Sequence, residues 1–410
     1  MQSPVYSKAE KMIFFGCFFS YFFAYIGRLN LASALPEIMK TFSLTSAQAG
    51  LIQTVFAVVY AAGQLVNGLL TDRISARRHI TLGLLLSGAF NLSFSFCTSY
   101  GQLLLLWALN GAAQSMLWTP IVKLIAGWFQ GKKRDTVSFF MCVTFILGHF
   151  VAWAISGVMA SLFSWRLSFA VPAGILFLTA LLSFLTLRDK DSAGAPAAPR
   201  AAPEKTRMPL GTLLFGTGLW LTLLACLATG FAREGVMTWA PSIITELYGS
   251  GSLSAAVIPL IIPLINLLGI LFGQALIRRA NGRLNRVMQF LLALAAISAA
   301  ALSILRNGQP ALLLSFLLGV LCALMYSVST MESVMVPLEY CDTGRVSFVA
   351  GLCDCMIYIG ASLVSVLSGA LQESAGQQAV YLSWAAAALI AFGAIALNTK
   401  HSAAKESVSE

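Results

Sequence analysis

The chain has 410 residues, 58% of them hydrophobic and 10% charged, with a mean hydropathy of +0.81. Apolar runs of about 20 residues recur along its whole length, which excludes an ordinary soluble protein and predicts one that crosses a membrane many times. The net charge of +10 invites nucleic acid as a partner, but the basic residues follow the loops rather than one patch, so that class is set aside.

In chain order the apolar runs predict twelve helical spans. The first six are Lys11–Leu35, Ala47–Leu70, Ile80–Thr98, Leu103–Trp128, Thr136–Phe163 and Leu167–Leu187. The second six are Leu213–Pro241, Leu253–Ile277, Val287–Leu305, Ala311–Met335, Val346–Leu371 and Val380–Leu397. No strand-like period of two is sustained, and glycine-rich apolar runs with short loops fit an α-bundle. The first run imitates a secretory leader, with Lys8 and Lys11 ahead of it and Ala32-Ser33-Ala34 resembling a cleavage site. Arg28 and Asn30 interrupt that pattern, and the internal repeat needs this run as a partner, so it is read as a span.

Between the sixth and seventh spans, Pro196, Pro199, Pro203 and Pro209 stand among alanines and charges, the composition of a polar linker. The expected organisation is an N-terminal six-helix bundle over 1–187, a cytoplasmic linker over 188–212, and a C-terminal six-helix bundle with a short cytoplasmic tail over 213–410. Most of the 26 Lys and Arg residues then fall on one side, with Lys40, Arg166 and Arg306 opposite them and Arg28, Lys123 and Arg233 inside spans. The positive-inside rule predicts a multi-pass protein of the cytoplasmic (inner) membrane with both termini cytoplasmic; the lipid bilayer is its expected surrounding and a monomer its expected state. The eight cysteines show no spaced ligand set, which predicts free structural thiols, no metal and no cofactor.

The interval from Arg28 to Arg233 equals that from Pro36 to Pro241, and it is half of the 410-residue chain. A charge within a span is expensive and survives where it faces a partner or a water-filled cavity. Two guanidinium forks at matching depths in two repeats predict an anion site, because the fork stays charged in a dry setting and binds phosphate or carboxylate through paired donors. The competing reading is an internal ion pair, Arg233 with Glu234 or Asp354. On the first span Tyr21, Tyr25 and Arg28 share one face. Gln114 with Trp118, and Asp354 with Tyr358, are further i, i+4 pairs expected at the cavity. Asp354 is expected to act as a counter-charge or as a proton-coupling group. His149 is expected to pack, and Lys123 to reach towards the cytoplasmic surface.

The stretch Gly68-Leu69-Leu70-Thr71-Asp72-Arg73-Ile74-Ser75-Ala76-Arg77-Arg78 resembles the loop between helices 2 and 3 of the major facilitator superfamily. Asp72, Arg73 and Arg77 are expected to form a conformational switch there, with Ser75 in place of the usual glycine weakening the turn. More specifically, Tyr21, Tyr25, Arg28, Asn30, Pro36, Trp118-Thr119-Pro120 and Arg233 through Pro241 resemble the organophosphate:phosphate antiporter family, which includes glycerol-3-phosphate and hexose-phosphate transporters. The resemblance implies that Arg28 and Arg233 bind a phosphoryl group, with Tyr21, Tyr25, Gln114, Trp118 and Tyr358 lining the site. Gln64, Thr144 and Thr238 stand where that family carries ionisable residues, and another acid is missing around Ile262.

The fold class is thus an all-α integral membrane protein of twelve transmembrane helices in two pseudo-symmetric six-helix bundles. The expected activity is secondary transport of a small organic anion, a phosphate ester exchanged for inorganic phosphate by alternating access. A proton-coupled carrier of carboxylates and a transporter-like sugar-phosphate sensor are the alternatives. No ATP-binding motif, nucleophile–base pair or catalytic loop stands out, so an enzyme is not expected.

Overall fold

The computed structural model describes residues 6–190, 208–248, 253–305 and 311–409. Most of the expected linker, together with Arg306, lies outside the described residues. The first half folds as α1 (Lys8–Ala24), α2 (Ile26–Phe42), α3 (Ser46–Thr71), α4 (Ala76–Phe94), α5 (Tyr100–Ser115), α6 (Trp118–Trp128), α7 (Gly131–Leu162) and α8 (Leu167–Thr186). The second half folds as α9 (Leu219–Tyr248), α10 (Leu253–Arg279), α11 (Leu284–Ile304), α12 (Ala311–Thr330), α13 (Val336–Glu339), α14 (Val346–Ala375) and α15 (Gln377–Ser409). Among the described residues nine helices are long and apolar enough to cross a membrane, the continuous α1–α2 stretch counting as one. Helix α4, the α5–α6 pair and α10 occupy the remaining three expected spans.

Local chemistry sets where the helices begin. Ser7 with Glu10, Thr45 with Gln48, and Ser99 with Gln102 form reciprocal capping boxes that satisfy the first free amides of α1, α3 and α5. The spans differ from the sequence expectation at several points. The first span runs through Pro36 to Phe42 rather than stopping at Leu35, since a membrane helix tolerates one missing ladder bond. The same span breaks at Tyr25, and the fourth breaks at Met116 and Leu117. Pro120 lacks the N–H that would bond the Met116 carbonyl, which explains the second break. The tenth span loosens into a π-helical turn at Met331–Met335.

The chain divides into two compact units, one of Met1–Arg207 with Pro337–Cys355, the other of Met208–Val336 with Met356–Glu410. Each packs by the same scheme. In the first unit α4 packs on α8, α3 on α5, α4 on α5 and α1 on α8; in the second the corresponding pairs are α11 with α15, α10 with α12, α11 with α12, and α9 with α15. Helix α9 also meets α14 closely, since a Cβ at Gly230 would lie 2.1 Å from the Ile357 carbonyl oxygen. Large apolar side chains such as Phe15, Phe19, Leu105, Phe150 and Phe316 are exposed, whereas Asn30, Gln64, Asn91, Asn110, Gln114 and Glu332 are buried. That inversion of the water-soluble pattern is the one a bilayer selects.

Candidate functional site

Around the break at Tyr25, amide side chains from other spans bond backbone carbonyls of the first span. Gln114 Nε2 donates to the Ala24 carbonyl at 3.1 Å. Asn91 Nδ2 and Asn110 Nδ2 donate to the Gly27 carbonyl at 3.0 and 2.9 Å. Asn30 donates to Asn91 Oδ1 at 2.8 Å, Ser87 to Asn110 Oδ1 at 2.7 Å, and Gln114 to Ser87 Oγ at 2.8 Å. These buried groups form one connected network, and in a dry interior such a network rigidifies the segment it holds. That segment presents Tyr21, Tyr25 and Arg28.

The Arg28 guanidinium lies 4.2 Å from the Tyr60 ring centroid and 5.7 Å from both Tyr25 and Phe56. Tyr21 packs on Tyr25 at 5.4 Å, Trp118 at 4.8 Å and Phe145 at 5.6 Å. Thus Tyr21, Tyr25, Arg28 and Trp118 meet at one aromatic wall, and Tyr60, Phe56 and Phe145 belong to it although the sequence reading omitted them. The Phe56–Tyr60 pair at i, i+4 on the second span was the available signal. Asp354, buried, is in electrostatic reach of Tyr21 and Tyr60. His149 bonds the Phe145 carbonyl and stacks 4.9 Å from Tyr25. Gln64 is fully buried, with neither amide atom hydrogen-bonded among the described residues.

In the second unit Arg233 Nη1 donates to Ser329 Oγ at 2.9 Å, and its guanidinium lies 5.9 Å from the Tyr326 ring. Its contact with Glu234 is long, 3.5 Å, and the Glu234 side chain is 39% exposed; a pair of that kind contributes little. Glu332 was missed by the sequence reading, although an acid in an apolar span is a functional signal in its own right. It is 0% exposed, accepts the Thr229 hydroxyl at 3.0 Å, and feels the Arg233 charge. Gly273 makes this packing possible, because a Cβ there would lie 2.2 Å from Ser329's neighbour on the preceding half-turn, Ser327 Oγ, and 2.6 Å from Met331 Cε. Tyr358 sits half-buried on α14 in the same unit. The side chains of Thr238 and Ile262 lie outside the described residues.

At the end of α3, Asp72 occupies the C-cap and Ser75 the N-cap of α4. Ser75 has φ −62°, so this turn does not need glycine's conformational range. The Ser75 hydroxyl and the Ala76 N–H both donate to Asp189, the latter at 2.9 Å. Lys123 donates to the Thr71 and Ile74 carbonyls at 2.6 and 3.0 Å, where it caps the end of α3 rather than simply reaching for the surface. Arg77 stacks 3.9 Å from the Phe184 ring. Asp72, Arg73, Lys123, Asp189 and Lys190 line a cavity of about 460 Å³. None of the eight cysteines is joined in a disulfide, and no metal-holding group of His, Cys, Asp or Glu occurs among the described residues.

Residues 17–340 match the family model described as Major Facilitator Superfamily. The chain is 25% identical over 198 residues to a probable hexose phosphate transport protein of Chlamydia trachomatis serovar D, covering 48% of this chain and 43% of that one. It is 27% identical over 264 residues to the glycerol-3-phosphate transporter of Bacillus subtilis, covering 60% and 59%. These alignments span about half the length of the curated relatives. Among solved structures, the fold matches the transporter FucP in its outward conformation with a TM-score of 0.70 at 18% identity, over 94% of this chain and 98% of that one.

Proposed function

The chain belongs to the Major Facilitator Superfamily, and we propose that it is a secondary transporter of a small organic anion, a phosphate ester of the sugar-phosphate or glycerol-phosphate type. Exchange is against inorganic phosphate, by alternating access of two six-helix bundles joined by the linker. The observation that carries this reading is the pair Arg28 and Arg233, equivalent in the repeat and each placed beside tyrosines in its own unit. Arg28 and Arg233 are the groups assigned to the phosphoryl oxygens. A fork offers paired donors to phosphate and keeps its charge in a dry setting. Tyr21, Tyr25, Trp118 and Tyr358 shape the site, Gln64 adds a buried amide with no hydrogen bond among the described residues, and Asp354 balances the cationic charge. Asp72 with Arg73 and Arg77 biases one conformation. The protein lies in the inner membrane with both termini cytoplasmic, as its basic loops favour.

The similarity to a probable hexose phosphate transport protein and to a glycerol-3-phosphate transporter supports the substrate class. The test is a thermal-shift and uptake screen on purified protein with inorganic phosphate, glycerol 3-phosphate, glucose 6-phosphate and a hexuronate. Stabilisation and uptake confined to the phosphorylated compounds are expected. Response to the hexuronate alone would replace phosphate esters with carboxylates.

A further inference from the structure

Glu332 has no part in the binding scheme so far, yet its surroundings are unusual. Its side chain is 0% exposed, and it lies in the π-helical turn Met331–Met335 that interrupts the tenth span. Such turns are rare and are frequently found at functional sites. Oε1 accepts the Thr229 hydroxyl at 3.0 Å, whereas Oε2 is buried with no hydrogen-bond partner among the described residues. An ionised carboxylate left half-satisfied in a dry interior is strongly disfavoured, as an unpaired charge in a span is.

The cation that faces it is Arg233 from α9, with Glu234 and Tyr326 beyond that guanidinium. On the α10 side stand Gly273 and Gln274, which carry no charge. Arg233 has five N–H donors, and its recorded acceptors are Ser329 and, at 3.5 Å, Glu234. Ser329 and Glu332 are three residues apart on one helical run, so about one turn, ~5 Å, separates these two oxygen-bearing side chains beside Arg233.

We propose that Glu332 carries a proton with each transported anion, in competition with the anion for Arg233. This rests on the anion-transport reading above. When the anion engages Arg233, Glu332 loses its counter-charge and takes a proton from the open side, becoming neutral. When the anion leaves on the other side, Arg233 turns to Glu332, which ionises and releases that proton there. One proton and one anion cross together, so a proton gradient drives net uptake in addition to exchange.

Calorimetric titration of the purified wild-type protein and Glu332→Gln with inorganic phosphate, in two buffers of different ionisation heat, reads the proton uptake directly. Phosphate's own ionisation is common to both proteins, so the difference isolates the carboxyl. The wild type is expected to take up about one more proton per bound phosphate than the variant. In proteoliposomes Glu332→Gln is expected to lose gradient-driven phosphate accumulation while phosphate–phosphate exchange continues. Equal proton uptake by the two proteins, or gradient-driven accumulation by the variant, overturns the proposal. Should Glu332→Gln fail to fold, Thr229→Val removes the hydrogen bond that favours the ionised form, and the midpoint of wild-type proton uptake is expected to move to higher pH. An unmoved midpoint overturns it equally. Absence of any anion binding by the wild type would instead sink the transport reading and this inference with it.

Discussion

Gln114 Nε2 donates to the carbonyl of Ala24 at 3.1 Å, across from the fourth span to the point where the first span breaks. The resemblance placed Gln114 at the substrate, and this bond gives it a second task, holding the bend that presents Tyr25 and Arg28. Gln114→Leu leaves two buried acceptors, Ala24 O and Ser87 Oγ, short of a donor. A loss of about 1–3 kcal/mol follows if the bond is structural. The expected result is a lower melting temperature in detergent before any ligand is added. An unchanged melting temperature with weakened anion binding would make Gln114 a ligand-contacting residue only.

Gln64 is the opposite case, a fully buried amide with neither atom bonded among the described residues. Replacing an unsatisfied amide by an apolar group of similar size is neutral or stabilising. Gln64→Leu is therefore expected to hold or raise the melting temperature while phosphate affinity drops by about tenfold, roughly one charge-assisted hydrogen bond. Retained affinity would remove Gln64 from the site.

Asp72 lies at the C-cap of α3 beside Arg73, in the loop stapled by Lys123 and Asp189. Its role as a switch predicts that Asp72→Asn slows exchange while equilibrium binding of phosphate stays near the wild-type value. Parallel loss of binding and exchange would place Asp72 in the binding machinery instead.

Asp354 is buried and acts on Tyr21 and Tyr60, which also feel the Arg28 charge. As a counter-charge, its removal leaves cationic charge uncompensated. Asp354→Asn is expected to reduce exchange and gradient-driven uptake together. If exchange survives and only the pH dependence of net uptake disappears, Asp354 rather than Glu332 carries the proton.

The spans were legible in the sequence because a bilayer demands about 20 apolar residues per crossing, and the arginines because charge there is rare. The breaks were not. Tyr25 has no local signal for a bend, since the side chains that bond the backbone on either side of it, Asn91, Asn110 and Gln114, come from two other spans. Proline misled in one direction at Pro36, which does not end its helix, and went unused in the other at Pro120, which does explain a break. Glu332 stood in plain view in the tenth span, but its chemistry depends on Thr229 and Arg233 meeting it, and only packing reveals that.

Uptake of radiolabelled inorganic phosphate into phosphate-loaded proteoliposomes by Arg28→Lys and Arg233→Lys tests anion transport most directly. Lysine keeps the charge and loses the planar fork, so each variant is expected to fold and to lose about tenfold or more in apparent affinity. Wild-type uptake by either variant would contradict a role for both guanidiniums in binding the phosphoryl group.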